Sequence, residues 1–218
     1  MIFVGRENEA SHIIKKLQQG NNVVLGGKFG IGRTSLIKKV SETMADKRKF
    51  IFIDFGQTPG KMSEKLMREL GLSRRFKKTG RKMGYKSMRY RIATVMLSTK
   101  NKPIIIFDNI AKITPQKIIF LRNIIEENHF QFIAIIENFL AAKDLFLLKA
   151  QLFPAETFSL HYLKDEEVIS FIRLHSEKYH LNWSNDYIHS LAALTGGYPL
   201  GIIEMIKNKK KDGVKNDG

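Results

Sequence analysis

The chain has 218 residues, 43% of them hydrophobic and 27% charged, with no cysteine and a formal charge of +16. That length suits one globular domain with room for a small second lobe, and the composition excludes a disulfide scaffold, thiol catalysis, cysteine metal sites and low-complexity chains. Lys and Arg total 37 against 21 Asp and Glu, an excess that favours a polyanionic partner.

Residues 23–25 form a short β-branched apolar run that stops at Gly26 and Gly27. Further apolar runs follow at 50–55, 104–107 and 132–136, with a weaker one at 156–160. Continuous runs of this length suit parallel strands covered on both faces. Helical patterns fall between them, at 35–46, 61–70, 86–97, 115–128 and 141–150. Thr114 and Pro115 read as an N-cap and first-turn pair for the fourth of these. The alternation predicts an α/β fold, a parallel sheet flanked by helices, over residues 1–160. Beyond it, acidic residues 165–167 open a helix, Ser184 caps a second, Gly196 and Gly197 end that one, and Pro199 starts a third that runs to about Ile206. Residues 161–207 are therefore expected to form a small helical lid, and 208–218 a flexible basic tail. No apolar run approaches the ~20 residues of a membrane span. The opening MIFVGRENEA lacks a signal-peptide core, so no transmembrane segment and a cytoplasmic location are expected.

The sharpest motif is Gly27-Lys28-Phe29-Gly30-Ile31-Gly32-Arg33-Thr34, set between an apolar strand and an amphipathic helix. It matches the phosphate-loop pattern except that Arg33 stands in the lysine position. Glycines let such a loop curl with its N–H groups inward, and the helix start adds positive partial charge. Gly27, Gly30, Ile31, Gly32, Arg33, Thr34 and Ser35 are the candidate nucleotide-binding residues. The Thr34 hydroxyl is a candidate Mg²⁺ ligand. Arg33 remains cationic, but its planar fork is bulkier than an ammonium, so binding is expected to be retained and hydrolysis weakened. The alternative is a glycine-rich turn that binds nothing.

A strand ending in Asp108 would supply the second Mg²⁺ contact at the C-terminal edge of the sheet. The next residue is Asn109, which cannot accept a proton from water. Asn138, at the tip of the fourth strand, is a candidate to position a water or a terminal phosphate oxygen, and Glu137 is the nearby carboxylate that could serve as a base. Both also suit helix capping.

These elements resemble the AAA+/STAND branch of the P-loop ATPases, in particular the archaeal-type group related to origin-recognition ATPases. Phe3-Val4-Gly5-Arg6-Glu7 looks like the opening box of that branch, residues 27–34 like its Walker A loop, 104–108 like its Walker B strand, and Thr195-Gly196-Gly197-Tyr198-Pro199-Leu200 like the Gly-x-Pro signature of its lid. The resemblance implies a P-loop NTPase fold with strand order 5-1-4-3-2, ATP or ADP with Mg²⁺ as cofactors, and Asn138 at the sensor-1 position. It also implies that Phe3, Val4, Tyr198 and Pro199 approach the base or ribose. Arg33 and Asn109 depart from the pattern, and no arginine finger or lid arginine can be assigned.

Residues 73–102 carry eleven cations and no carboxylate, with Phe76, Tyr85 and Tyr90 interleaved. Arg74, Arg75, Lys77, Lys78, Arg81, Lys82, Lys86 and Arg89 are candidate contacts to the phosphates of DNA or another nucleic acid, with aromatics to stack on unpaired bases. A solvated loop, an acidic protein partner and an anionic membrane surface are the alternatives. The six histidines, His175 among them, show no metal spacing. Three functions are consistent with these features: a nucleotide-dependent switch of weak hydrolysis that contacts nucleic acid, an active ATPase acting as a nucleic-acid motor or loader, and a nucleotide-independent interaction protein. A protein partner or homo-oligomer is a further candidate interaction.

Overall fold

The computed structural model describes residues 4–72, 80–95 and 101–215, with side chains described as far as residue 208. Five parallel strands form one sheet: β1 (Asn22–Gly27), β2 (Phe50–Asp54), β3 (Ile104–Ile110), β4 (Gln131–Ile136) and β5 (Ala155–Leu160). Their order is β2-β3-β4-β1-β5, the expected 5-1-4-3-2 arrangement. The C-terminal ends of β1, β3 and β4 therefore lie side by side, and the loops that leave them share one edge.

The sheet is apolar on both faces because helices cover both. Val24, Ile51, Ile53, Ile105, Phe107, Phe132 and Ala134 point to one side, where α3 (Pro59–Glu69), α4 (Tyr85–Ala93), α5 (Pro115–Ile125) and α6 (Ala142–Gln151) complete the core. Phe107 anchors this side, stacked on Phe132 at 5.9 Å and edge-on to Phe55 at 5.3 Å. Val23, Leu25, Ile104, Ile106, Ile133 and Ile135 point the other way, against α1 (Glu7–Gln18) and α2 (Arg33–Thr43). This period-2 division of otherwise unbroken apolar runs is the signature of a doubly covered parallel sheet.

The caps read from the sequence act as such. Thr114 accepts the Lys117 N–H at 3.4 Å and Ser184 that of Tyr187 at 3.3 Å. The lid comprises α7 (Asp165–Lys178), α8 (Asn185–Thr195) and α9 (Pro199–Lys215), packed on its own core around Ile172, Ile188 and Ile202. Helix α9 continues past Ile206, where its apolar stripe ends. Helix α1 lies outside the expected elements; it buries only Ile13 and Leu17 among charged neighbours, so its apolar pattern is sparse. Among the described residues no helix is long and apolar enough to cross a membrane.

Candidate functional site

The glycine-rich loop joins β1 to α2, so the first-turn N–H groups of α2, which have no intrahelical acceptors, face the sheet edge. Gly30 takes φ 73°, and a Cβ there would lie 2.6 Å from the Tyr198 hydroxyl and 2.7 Å from Leu200. Glycine is thus required by backbone geometry and by the close approach of the lid. Tyr198 donates its hydroxyl to the Phe29 carbonyl at 2.9 Å, tying the start of α9 to the loop. Lys28 turns outward, donates to the Tyr162 hydroxyl at 2.9 Å and lies over that ring.

Arg33 is only 7% exposed. Its guanidinium donates to the Ile136 carbonyl and, at 2.7 Å, to the Glu137 carboxylate at the end of β4. The cation in the lysine position is therefore already neutralised by a carboxylate of this chain, and that carboxylate is itself occupied. Among the described residues that line the cavity, Glu137 is the one carboxylate.

Beside it, the Thr34 hydroxyl donates to Asp108 at 3.0 Å. One hydroxyl beside one carboxylate is a donor set that could hold Mg²⁺, which takes few protein oxygens and completes its shell with phosphate oxygens and waters. Asn109 adopts φ 61°, a left-handed conformation that Asn tolerates better than Glu. Its side chain donates to Asp54 at 3.3 Å. Hydrogen bonds from Gln57 hold the Asp54 carboxyl below its ordinary value, with the Gly56 N–H and Asn109 adding to the effect against partial burial. Asn138 is exposed, next to exposed Phe139, and is not among the cavity-lining residues; Glu137 is the residue of this pair that faces the site.

The loop forms one wall of a cavity of about 480 Å³, within the ~300–1,000 Å³ typical of small-molecule sites. Gly30, Ile31, Gly32, Arg33, Thr34 and Ser35 line its polar end. Val4, Leu163, Phe171, His175, Pro199 and Ile203 line the other. Val4 and Pro199 both line this cavity, and Tyr198 bonds to the loop carbonyl of Phe29. Phe3 lies outside the described residues. The lining thus joins residues of the glycine-rich loop to apolar side chains of the N-terminal segment and of the C-terminal helices.

Arg6 holds these parts together. It is 5% exposed, and its guanidinium donates to the carbonyls of Ile31 in the loop (3.3 Å) and His161 at the lid boundary (2.6 Å), with Glu9 as counter-ion. Its own N–H donates to Glu167 of α7 at 3.1 Å. Burial lowers its pKa, opposed by Glu9 and Glu167. Glu9 is its near neighbour in sequence, while the contacts to loop and lid come from residues remote in sequence.

No protein-family model matches the chain, and no curated protein matches it. Solved structures do. Cdc6p from Pyrobaculum aerophilum superposes with a TM-score of 0.70 at 12% identity, over 99% of this chain and 65% of that one. The Aeropyrum pernix ORC1 protein in complex with DNA gives 0.68 at 13% identity, over 99% and 62%. The Aeropyrum pernix ORC2 protein, described as ADPNP–ADP complexes, gives 0.66 at 16%, over 93% and 61%. The chain has the fold of the AAA+ P-loop ATPases. It spans a little under two thirds of the length of each of these proteins.

The basic segment lies apart: none of its described residues lines this cavity. Its second half is not a loose loop. Met83, Met88 and Ile92 are buried in the core, so α4 is pinned and its cations are displayed outward. Lys82 pairs with Glu64 at 3.4 Å, and Arg89 lies over the Tyr85 ring. Lys86 and Arg91 flank Tyr90, which is 72% exposed. Arg74, Arg75, Lys77 and Lys78 lie outside the described residues. Sequence reasoning singled out Val4 and Pro199 but missed Leu163, Phe171, His175 and Ile203 in the same lining. Phe171 and His175 sit four apart on α7, the one signal that could have grouped them.

Proposed function

We propose that this chain binds an adenine nucleotide with Mg²⁺, hydrolyses it slowly or not at all, and works as a nucleotide-dependent switch that contacts nucleic acid through its basic segment. The observation that carries the reading is the cavity bounded by the glycine-rich loop and lined by Thr34, whose hydroxyl bonds the Asp108 carboxylate behind it. Gly30, Gly32 and the start of α2 would cradle phosphate, and Thr34 and Asp108 would hold the metal, which neutralises phosphate charge when bound. Weak hydrolysis is supported by the residues around them. Asn109 cannot take a proton, and Glu137 is committed to Arg33. A switch is supported by the contacts that join loop and lid, through Arg6 and through Tyr198. A ligand that seats between loop and lid shifts their relative populations only if it binds one arrangement better. A nucleic-acid contact is supported by the Lys86–Tyr90–Arg91 surface of α4 and by the DNA named with the ORC1 structure.

Equilibrium binding of a fluorescent ADP analogue, with and without Mg²⁺, tests the central claim. Micromolar affinity that loses its Mg²⁺ dependence in Asp108→Ala is expected. Absence of binding at millimolar nucleotide would refute it. Turnover of the wild type against Arg33→Lys tests the low-hydrolysis claim, and robust wild-type turnover would overturn it.

A further inference from the structure

One polar ring in the cavity lining has its orientation determined by its own helix. His175 is 9% exposed and lines the cavity next to Phe171, whose ring centroid is 4.3 Å away. Its Nδ1 lies 2.9 Å from the Phe171 carbonyl oxygen. A carbonyl can only accept, so Nδ1 carries the proton in that bond. In the neutral ring Nε2 is then an acceptor, on the edge of the imidazole turned away from the helix backbone. Among the described residues nothing donates to it. Burial lowers the pKa of His175 below the ordinary histidine value, and the nearby Lys178 cation pushes the same way, so the neutral form is the resident one. The other polar groups at this end are Lys178, a donor only, and the Tyr179 hydroxyl.

We infer that His175 is the residue that reads the base, accepting a hydrogen bond at Nε2 from the exocyclic amine of a 6-aminopurine stacked between the lid and the N-terminal segment. The inference rests on the nucleotide reading above and extends it to a specificity-determining side chain. Apolar walls such as Val4, Phe171 and Pro199 take any flat base. An oriented acceptor distinguishes bases, because an amine satisfies it and a base without a donor there leaves it buried and unpaired.

The test compares ADP with purine riboside 5′-diphosphate, which differs only in lacking the 6-amino group, against the wild type, His175→Phe and His175→Gln. The wild type is expected to prefer ADP roughly tenfold, the scale of one buried hydrogen bond. His175→Phe keeps a flat ring and should bind both equally, whereas His175→Gln, which retains an acceptor, should recover part of the preference. Equal wild-type affinities for the two ligands would overturn the inference while leaving nucleotide binding intact. A preference that survives in His175→Phe would overturn it by assigning the amine to another group. Binding of neither ligand to the wild type would overturn the nucleotide reading and this inference together. Should the Phe variant not fold, ¹⁵N spectra of the wild-type histidine decide the matter. ADP should shift the His175 Nε2 resonance and the desamino ligand should not; a resonance unmoved by ADP, or moved alike by both, rejects the assignment.

Discussion

Removing the Glu137 carboxylate isolates the most consequential departure in the phosphate loop. Arg33 and Glu137 meet at 2.7 Å with side chains 7% and 11% exposed. In Glu137→Ala the guanidinium keeps the Ile136 carbonyl but loses its counter-ion. Breaking a fully buried pair from one side costs about 3–5 kcal/mol. This pair borders a cavity open to solvent, so the cost falls to the bottom of that range or just under it, about 2–3 kcal/mol. At roughly 2–4 °C per kcal/mol for a chain of this size, Tm should fall by about 5–10 °C. Nucleotide should restore much of that, because its phosphates supply the missing negative charge and ligand binding stabilises by mass action. The expected signature is a lower apo Tm together with a larger nucleotide-induced rise than in the wild type, read by scanning calorimetry at fixed Mg²⁺-ADP. In the Arg33→Leu/Glu137→Leu double variant the loss should be smaller than the sum of the two singles. An unchanged apo Tm, or a nucleotide shift equal to that of the wild type, would show that the pair does not compete with phosphate for Arg33.

Three further outcomes follow from the same geometry. Gly197 has φ 77° and an added Cβ would sit 2.3 Å from the Leu163 carbonyl oxygen, so Gly197→Ala should lose about 3 kcal/mol or more in urea denaturation; a loss under about 1 kcal/mol would mean the lid hinge relaxes freely. Charge reversal at Lys86, Arg89 and Arg91 should lower polyanion affinity and flatten its log–log salt slope by about 0.9 for each phosphate that the protein no longer neutralises, and an unchanged slope would place the anion-binding surface elsewhere. His175 has a folded pKa below the ordinary 6.5, so the folded state binds fewer protons there than the unfolded one. Its contribution to stability is present above about 6.5 and is lost as pH falls through the folded value, with Lys178 on the same helix pushing the same way and Arg6 the other cation that shares the cavity lining outside the loop. Acid titration of Tm should show a shallower decline in His175→Phe than in the wild type; parallel curves would contradict a buried neutral ring.

The strands and most helices were legible because burial on both sides of a parallel sheet writes itself as unbroken apolar runs, as at Ile104-Ile105-Ile106-Phe107. Thr114-Pro115 and Ser184 were legible because capping is a local interaction between neighbours. Gly30, Thr34 and Asp108 could be assigned to one edge because a strand–loop–helix unit and a strand end must meet there in such a sheet. What no local pattern encodes is which remote partner each polar group finds. The 33–137, 6–31, 6–161 and 198–29 contacts span 25 to 169 residues of sequence. Arg33 read alone is a cation available to phosphate; only the packing of β4 beside β1 brings Glu137 to it. His175 is oriented by its own helix, but only the tertiary packing puts it in the lining of a cavity it shares with the loop. Local free energies decide the elements, while long-range packing decides which charges are satisfied by the protein and which remain for a ligand.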